Sequence, residues 1–382
     1  QYVLGQTIDD AISAKTKKSL FSFDMLGEGS RTENDSINYF EAYSDAIKRI
    51  GRFSAPRKSV EENDGISVKL SALHNRYEFR HESTVMKKLY QRIKKLCLEA
   101  KTFNISLSLD AEESARLDLA MQIFENLSRE PELDGWDGLG FVLQSYLKRA
   151  PLVLKWLDAL ASETNQKFMI RLVKGAYWDT EIKRAQEKGL KEYPVYTRKV
   201  NTDACYHYCT HLLSLNQGTL YPQFATHNAY TMALIAEIFK NQNFEFQRLH
   251  GMGVALFDEM QRVYLPSLKA RVYAPVGDHN DLLPYLVRRL LENGANSSFV
   301  NRFLDDKEPA TKLVEDPIKK ISELKEYRNS EIKLPHEIFL NSETKRLNSC
   351  GLDTQNFNDF HSIKLIHKQM KNKFFDANSV IN

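Results

Sequence analysis

Eight short apolar runs recur along this chain, each separated from the next by a stretch with a different spacing. They are Phe21 to Leu26, Ile66 to Leu73, Ile105 to Ala111, Gly138 to Tyr146, Phe168 to Tyr177, Leu220 to His227, Phe244 to His250 and Arg271 to Val276. Such density of apolar residues suits strands buried on both faces, as in a parallel sheet. Between them, Ser83 to Ala100, Ser114 to Leu127, Lys148 to Glu163 and Asp179 to Gly189 set apolar residues three and four apart among charged ones. That is the pattern of amphipathic helices. Eight strands alternating with helices over about 300 residues predict an α/β fold, a (β/α)8 TIM-type barrel. A doubly wound open sheet is the competing arrangement. It lacks support: no Gly-x-Gly-x-x-Gly turn follows the first run, and Gly138-Leu-Gly140 lies before or within a strand.

Of the 382 residues, 42% are hydrophobic and 27% charged, so a barrel and an appendage can both be accommodated. A net charge of +3 with mixed signs makes no case for nucleic acid. No apolar run approaches a membrane span of about 18 residues. The opening Gln-Tyr-Val-Leu-Gly-Gln has neither the basic region nor the apolar core of a signal peptide, and no initiator methionine, so a cytoplasmic fragment is expected. Four cysteines at irregular spacing form no disulfide framework. Cys205 and Cys209 interleave with His207 and His211, but the two pairs face different sides of a helix, and a packed helix accounts for them better than a metal site. Three segments are read: a helical lead-in over 1–20, a barrel over 21–304, and an irregular linker over 305–382 whose only clear period lies between Ile363 and Phe375.

Polar residues gather at the carboxyl ends of the runs, where barrels of this kind keep their chemistry. Lys69, Asp110, Gln144, Arg171, Thr226, His227, Asn228, Gln247, His250 and Tyr273 come from seven different runs. One buried polar residue is usually a satisfied part of a core; a ring of them must all be satisfied, and a site explains the ring more economically. Arg171 stands inside the run Phe-Met-Ile-Arg-Leu-Val, with Lys174 and Gly175 just beyond. A guanidinium keeps its charge, so it must meet an anion or a strong acceptor. Either an internal ion pair or a bound ligand satisfies that requirement.

After the last run, Leu282 to Asn293 followed by Gly294 reads as a helix with its stop, packed over the barrel mouth. Tyr285, Arg288, Arg289 and Glu292 share one face. The stripe is either a solvated row of Arg–Glu pairs or a fork for a carboxylate or phosphate. Glu28, after the first run, is the best-placed anion for Arg288 when no ligand is bound.

The stretches Ser67-Val-Lys-Leu-Ser-Ala-Leu-His74, Arg171-Leu-Val-Lys-Gly-Ala-Tyr-Trp178, Phe224-Ala-Thr-His-Asn228, Leu249-His-Gly-Met-Gly253, Val272-Tyr-Ala-Pro-Val-Gly277 and Tyr285-Leu-Val-Arg-Arg-Leu-Leu-Glu-Asn-Gly294 carry a resemblance. From about Asp24 to Val300 the chain resembles the proline dehydrogenase domain of the bifunctional bacterial proline utilization A family. The resemblance implies an FAD enzyme that oxidises L-proline to Δ1-pyrroline-5-carboxylate and passes electrons to a membrane quinone. It implies Arg171 near flavin N5 and Gln144 near the pyrimidine end. Val173, Lys174, Gly175, Ala176, Trp178, Thr197, Arg198, Lys199, Thr226, His227, Glu292 and Phe299 would line the cofactor site. Lys69, Arg288 and Arg289 would hold the proline carboxylate, with Asp110, Ala176, Tyr177, Leu249, Tyr273 and Tyr285 around the ring. Glu28 would act as a gate. The tail from Leu334 resembles the connector towards an aldehyde dehydrogenase half, and peripheral inner-membrane association belongs to the full-length enzyme. Two other classes fit the residues alone. A barrel aldolase would use Lys69 or Lys174 as a Schiff base; an interaction scaffold would use the charged tail and hold no cofactor.

Overall fold

Strand β1 (Leu20–Met25) is flanked on one side by β2 (Gly65–Val68) and on the other by the last strand, β8 (Ala270–Val276). Between these lie β3 (Ser106–Leu109), β4 (Leu139–Gln144), β5 (Phe168–Val173), β6 (Leu220–Ala225) and β7 (Glu245–Leu249). All eight pair in parallel with their sequence neighbours, and β1 closes on β8 from Leu20↔Arg271 to Met25↔Val276. This is the closed (β/α)8 barrel that the alternation predicts. The computed structural model describes residues 3–16, 19–55, 58–278, 282–283, 285–288, 316–340, 343, 345–371 and 373.

The helices are α1 (Ile8–Ser13), α2 (Glu33–Gly51), α3 (Glu82–Thr102), α4 (Leu117–Ser128), α5 (Ala150–Thr164), α6 (Trp178–Glu187), α7 (Lys199–Leu215), α8 (Ala229–Ile238) and α9 (Val254–Glu259). Their apolar stripes cover the outer face of the sheet. In α3, Val85, Leu89, Ile93, Leu96 and Ala100 are all buried, at three- and four-residue steps. Thr32 and Asp35 close a reciprocal cap at the start of α2, satisfying backbone donors that the first turn leaves open. The lead-in docks on the barrel: Leu4 N donates to Pro275 O at 3.0 Å, and α1 buries Ile8 and Ala11.

The barrel interior divides by size. Strands β1 to β4 contribute small groups: Ser22, Ser67, Ser106, Ser108, Gly65 and Gly140. A Cβ at Gly65 would collide with Ser106, and one at Gly140 with Ser108. Strands β5 to β8 contribute long polar side chains that reach across, Arg171 to Ser22 at 3.0 Å and Arg271 to the carbonyl of Asn63 at 2.8 Å. Small residues on one half therefore make room for two guanidinium groups from the other.

Several boundaries differ from the sequence reading. The composition of the second run predicts an extended chain to Leu73, but β2 ends at Val68 and Leu70–Ala72 form a 3-10 turn. The fifth ends at Val173 because Gly175 adopts φ +136°, which turns the chain into α6. The tail is docked rather than loose. Tyr193 OH donates to Lys333 O at 2.7 Å, and Phe79 meets Phe357 edge-on at 5.3 Å. Its helix runs Phe357–Met370, starting earlier than the period predicts because Asn356 caps it.

Candidate active site

Lys69 follows β2 and Asp110 follows β3; Asp24 sits near the end of β1, and Tyr273 lies in β8. Parallel closure brings all four to the carboxyl-terminal mouth. Lys69 Nζ donates to Asp24 Oδ1 at 2.7 Å, to Asp110 Oδ2 at 3.3 Å and to Tyr273 OH at 3.4 Å. Tyr273 OH also donates to Asp110 Oδ2 at 2.7 Å. Burial works against the charge on Lys69, yet Asp24, Tyr273 and Asp110 outweigh it and hold the ammonium well above the usual lysine value. Asp24 Oδ2 has no hydrogen-bond partner, so the cluster has an open valence.

One layer deeper, Arg171 is 3% exposed. Each of its three nitrogens donates: Nη1 to Asp110 Oδ1 at 2.9 Å, Nη2 to Ser22 Oγ at 3.0 Å and Nε to Gln247 Oε1 at 2.6 Å. Its guanidinium lies 5.2 Å from the centre of the Tyr273 ring. Arg171 thus faces into the barrel, and Asp110 joins it to Lys69.

At the rim, Arg288 Nη1 and Nη2 bind Glu28 Oε1 and Oε2 at 2.5 and 2.9 Å, a bidentate fork. Its guanidinium stands 5.2 Å from the Tyr177 ring centre. Burial disfavours the charge on Arg288, but Glu28 and the tyrosine side more than compensate, so the guanidinium holds its proton more firmly than usual. Tyr285, one turn earlier in the helical stretch 285–288, is buried. Arg289, Glu292 and Phe299, named in the sequence reading, lie outside the described residues.

A third group lies beside the mouth. Gly175 and Ala176 expose their backbone, and a Cβ on Gly175 would run into the Tyr146 ring. Gln144 Oε1 accepts from Ala176 N at 3.3 Å, while its Nε2 donates to Glu112 O at 2.8 Å. Lys174 and Lys199 converge on Asp203, the latter at 2.9 Å, at the amino-terminal end of α7. Trp178 Nε1 donates to Tyr196 O at 2.8 Å. His227 Nε2 accepts from Leu249 N at 3.2 Å, joining the ends of β6 and β7, and a Cβ on Gly253 would touch the same ring. Thr226 Oγ1 accepts from Asn228 N at 3.1 Å. Val173 is half-buried at the end of β5. Thr197 and Arg198 meet the tail: Thr197 Oγ1 accepts from Asn329 N at 3.0 Å, and Arg198 Nε donates to Arg328 O at 3.1 Å.

Sequence reasoning missed Asp24, Asp203, Glu245 and the pairing of Arg271. The signal for Asp24 was present: a carboxylate within an apolar run is the same anomaly as Arg171. Cys205 and Cys209 are buried in α7, and no group of metal-ligating side chains forms among the described residues.

The closed parallel barrel with its charged groups at the strand carboxyl ends defines a TIM-type (β/α)8 protein, a class that keeps its chemistry at this mouth. Within that class, the profile of the proline dehydrogenase family matches residues 7–302, and the chain belongs to that family. The bifunctional protein PutA of Salmonella typhimurium is 47% identical over 374 residues, 93% of this chain and 28% of that protein. Mitochondrial proline dehydrogenase 2 of Arabidopsis thaliana is 28% identical, over 56% of this chain and 46% of that protein. A solved structure of Bradyrhizobium japonicum proline utilization A, mutant D779Y, superposes with a TM-score of 0.89 at 43% identity, covering 99% of this chain and 38% of that one. The chain therefore spans less than a third of the length of the PutA relative.

Proposed function

We propose that this chain oxidises L-proline to Δ1-pyrroline-5-carboxylate with bound FAD and passes the electrons to a membrane quinone, the first step of proline catabolism. The observation that carries this reading is the pairing of family membership over 7–302 with two separately held cations at the mouth, Lys69 and Arg288. Proline offers one carboxylate and an apolar ring. Lys69 and Arg288, with Arg289, would hold the carboxylate by charge-assisted hydrogen bonds, and Tyr177, Tyr273, Tyr285 and Leu249 would enclose the ring. Glu28 occupies Arg288 here, and a substrate carboxylate would compete for the same guanidinium, so Glu28 serves as the gate.

The residues fit FAD. The exposed backbone at Gly175, the Gln144 amide fixed beside it, and Lys174 with Lys199 at the start of α7 offer donors and positive charge to an anionic cofactor. When bound, FAD supplies the acceptor for the two electrons and hydrogen that leave the ring. The chain's own work is to orient the substrate, exclude water from the mouth and hold Arg171 beside the cofactor. Residues 21–304 are the catalytic unit. The segment 305–382 would lead towards an aldehyde dehydrogenase half in a longer cytoplasmic polypeptide; the PutA relatives are named as bifunctional proteins. Among the described residues no helix is long and apolar enough to cross a membrane; for the full-length enzyme the reading includes peripheral association with the inner membrane.

The test is a visible spectrum of the purified chain. Yellow flavin absorbance, bleached by L-proline without oxygen, is the expected result. A preparation that stays colourless after FAD addition and desalting rules the reading out.

A further inference from the structure

The oxygen and nitrogen of a glutamine amide are nearly the same size, so the hydrogen-bond partners decide which way the group points. For Gln247, at the centre of β7, they leave one choice. Its Nε2 donates to Glu245 Oε1 at 2.7 Å, and its Oε1 accepts from Arg171 Nε at 2.6 Å. A carboxylate paired with arginine only accepts, and a guanidinium only donates. Turning the amide over would set donor against donor and acceptor against acceptor. Gln247 is 2% exposed, so water cannot repair the mismatch.

Glu245 is itself fixed. It accepts from Arg271 Nε at 2.7 Å, from Arg271 Nη2 at 3.0 Å and from Gln223 Nε2 at 2.9 Å. Arg271 spends its remaining donors on the carbonyls of Asn63 and Glu61, both at 2.8 Å, and of Phe21 at 3.4 Å. A chain of one-way hydrogen bonds therefore runs from main-chain carbonyls at the barrel base, through Arg271, Glu245 and Gln247, to the guanidinium of Arg171. Arg171 sits on a rotatable stem, and Asp110 and Ser22 hold only its far nitrogens. The bond to Nε sets the remaining rotation.

We propose that Gln247 is a positioning residue: oriented by Glu245 and Arg271, it locks the Arg171 guanidinium in the setting that faces the barrel mouth. The consequence for chemistry rests on reading Arg171 as the residue beside FAD; the orientation itself does not.

The experiment follows solvent exchange of the Arg171 Nε–H proton by NMR in the ligand-free chain, then flavin reduction by proline in the FAD-loaded chain. Gln247→Met should speed the exchange about tenfold or more, the scale of one lost hydrogen bond to a charged group. Gln223→Met removes a donor to the same Glu245 carboxylate. Gln223 stands beside Arg171 in the register of β5 and β6, but the Arg171 side chain bonds to Gln247, Asp110 and Ser22 instead, so the exchange should stay as in the parent. Gln247→Glu separates the two contacts: it keeps an acceptor for Arg171 Nε but, once ionised, sets a second carboxylate against Glu245. With each rate referred to free arginine at the same pH, Arg171 should stay better protected than in Gln247→Met, and flavin reduction should follow the same order. The proposal is overturned if Gln247→Met leaves the exchange unchanged, or if Gln223→Met speeds it equally. A chain that binds no FAD would remove the functional reading and leave the exchange result to decide the orientation.

Discussion

At the base of the barrel, Arg271 meets Glu245 through two hydrogen bonds of 2.7 and 3.0 Å, and main-chain carbonyls take the rest of its donors. At the mouth, Lys69 divides itself among Asp24, Asp110 and Tyr273 at 2.7, 3.3 and 3.4 Å, while Asp24 Oδ2 has no partner. Both clusters are buried. The difference lies in closure: at the base both oxygens of the Glu245 carboxylate are met by Arg271, whereas at the mouth Lys69 adds two longer contacts to its bond with Asp24, whose second carboxylate oxygen is open. A buried ion pair contributes little net stability but is costly to break on one side. A cation with loose contacts can exchange partners when an anion arrives. The base therefore holds the barrel in register, and the mouth is where a ligand can compete.

Breaking the closed pair should give the largest effect. Glu245→Ala leaves Arg271 charged and without its carboxylate, and should cost about 3–5 kcal/mol. Urea unfolding reads this directly; a midpoint close to that of the parent would mean that the base is no more closed than the mouth. Next comes the rim. Arg288→Met should lose about 2–4 kcal/mol of transition-state stabilisation, roughly 30- to 1,000-fold in kcat/KM on proline. Arg288→Lys should recover only part of it, since a point charge cannot form the bidentate fork. Pyrrolidine, the same ring without a carboxylate, is the control. Equal losses on proline and pyrrolidine would place Arg288 in the fold rather than at the substrate.

Asp24→Asn sharpens the contrast further. Lys69 keeps Asp110 and Tyr273, and the unpaired oxygen becomes part of a neutral amide. Stability should stay within about 1 kcal/mol of the parent, far less than Glu245→Ala, while proline turnover falls. A loss as large as that of Glu245→Ala would show that the mouth is a closed structural pair. The smallest effect should come from Asp203. Burial raises its pKa, but Lys174 and Lys199 outweigh burial and hold it below the ordinary 3.8. Its stabilisation is therefore present above the unfolded-state value and lost as pH falls through the lower folded one. Asp203→Asn should flatten the acid side of the melting profile below about pH 4, by less than about 1 kcal/mol because Lys199 is half exposed. Unchanged acid sensitivity in thermal melts would count against the pairing.

Much of the barrel was legible in the residues. Runs such as Phe168 to Val173 are apolar on both faces, which is what a parallel strand covered by helices requires. Polar residues at run ends mark the mouth, and Glu28 was nominated for Arg288 from the order of elements alone. The strand ends were less legible. The residues from Lys69 to Leu73 keep strand-like composition but turn away after β2, and composition does not report a 3-10 turn. Arg271 opens the eighth run as Arg171 stands within the fifth, yet their opposite fates follow from depth, which a linear pattern does not encode. The tail shows the same limit: its polar composition suggests a linker, and only its contacts with Tyr193, Arg198 and Phe79 reveal that it is docked.

The alternation of patterns along this chain, by itself, determined the parallel barrel, the end at which its polar residues collect, and the need of Arg171 for an acceptor. Those are local matters of period and of the cost of burying charge. Tertiary structure alone decided the partners: Asp110 and Gln247 for Arg171, Asp24 for Lys69, Glu245 for Arg271. These residues lie 26 to 76 positions apart in sequence and meet only when the strands pair and curl into the barrel. Closure sets the register, and the register sets which side chains share a layer of the barrel.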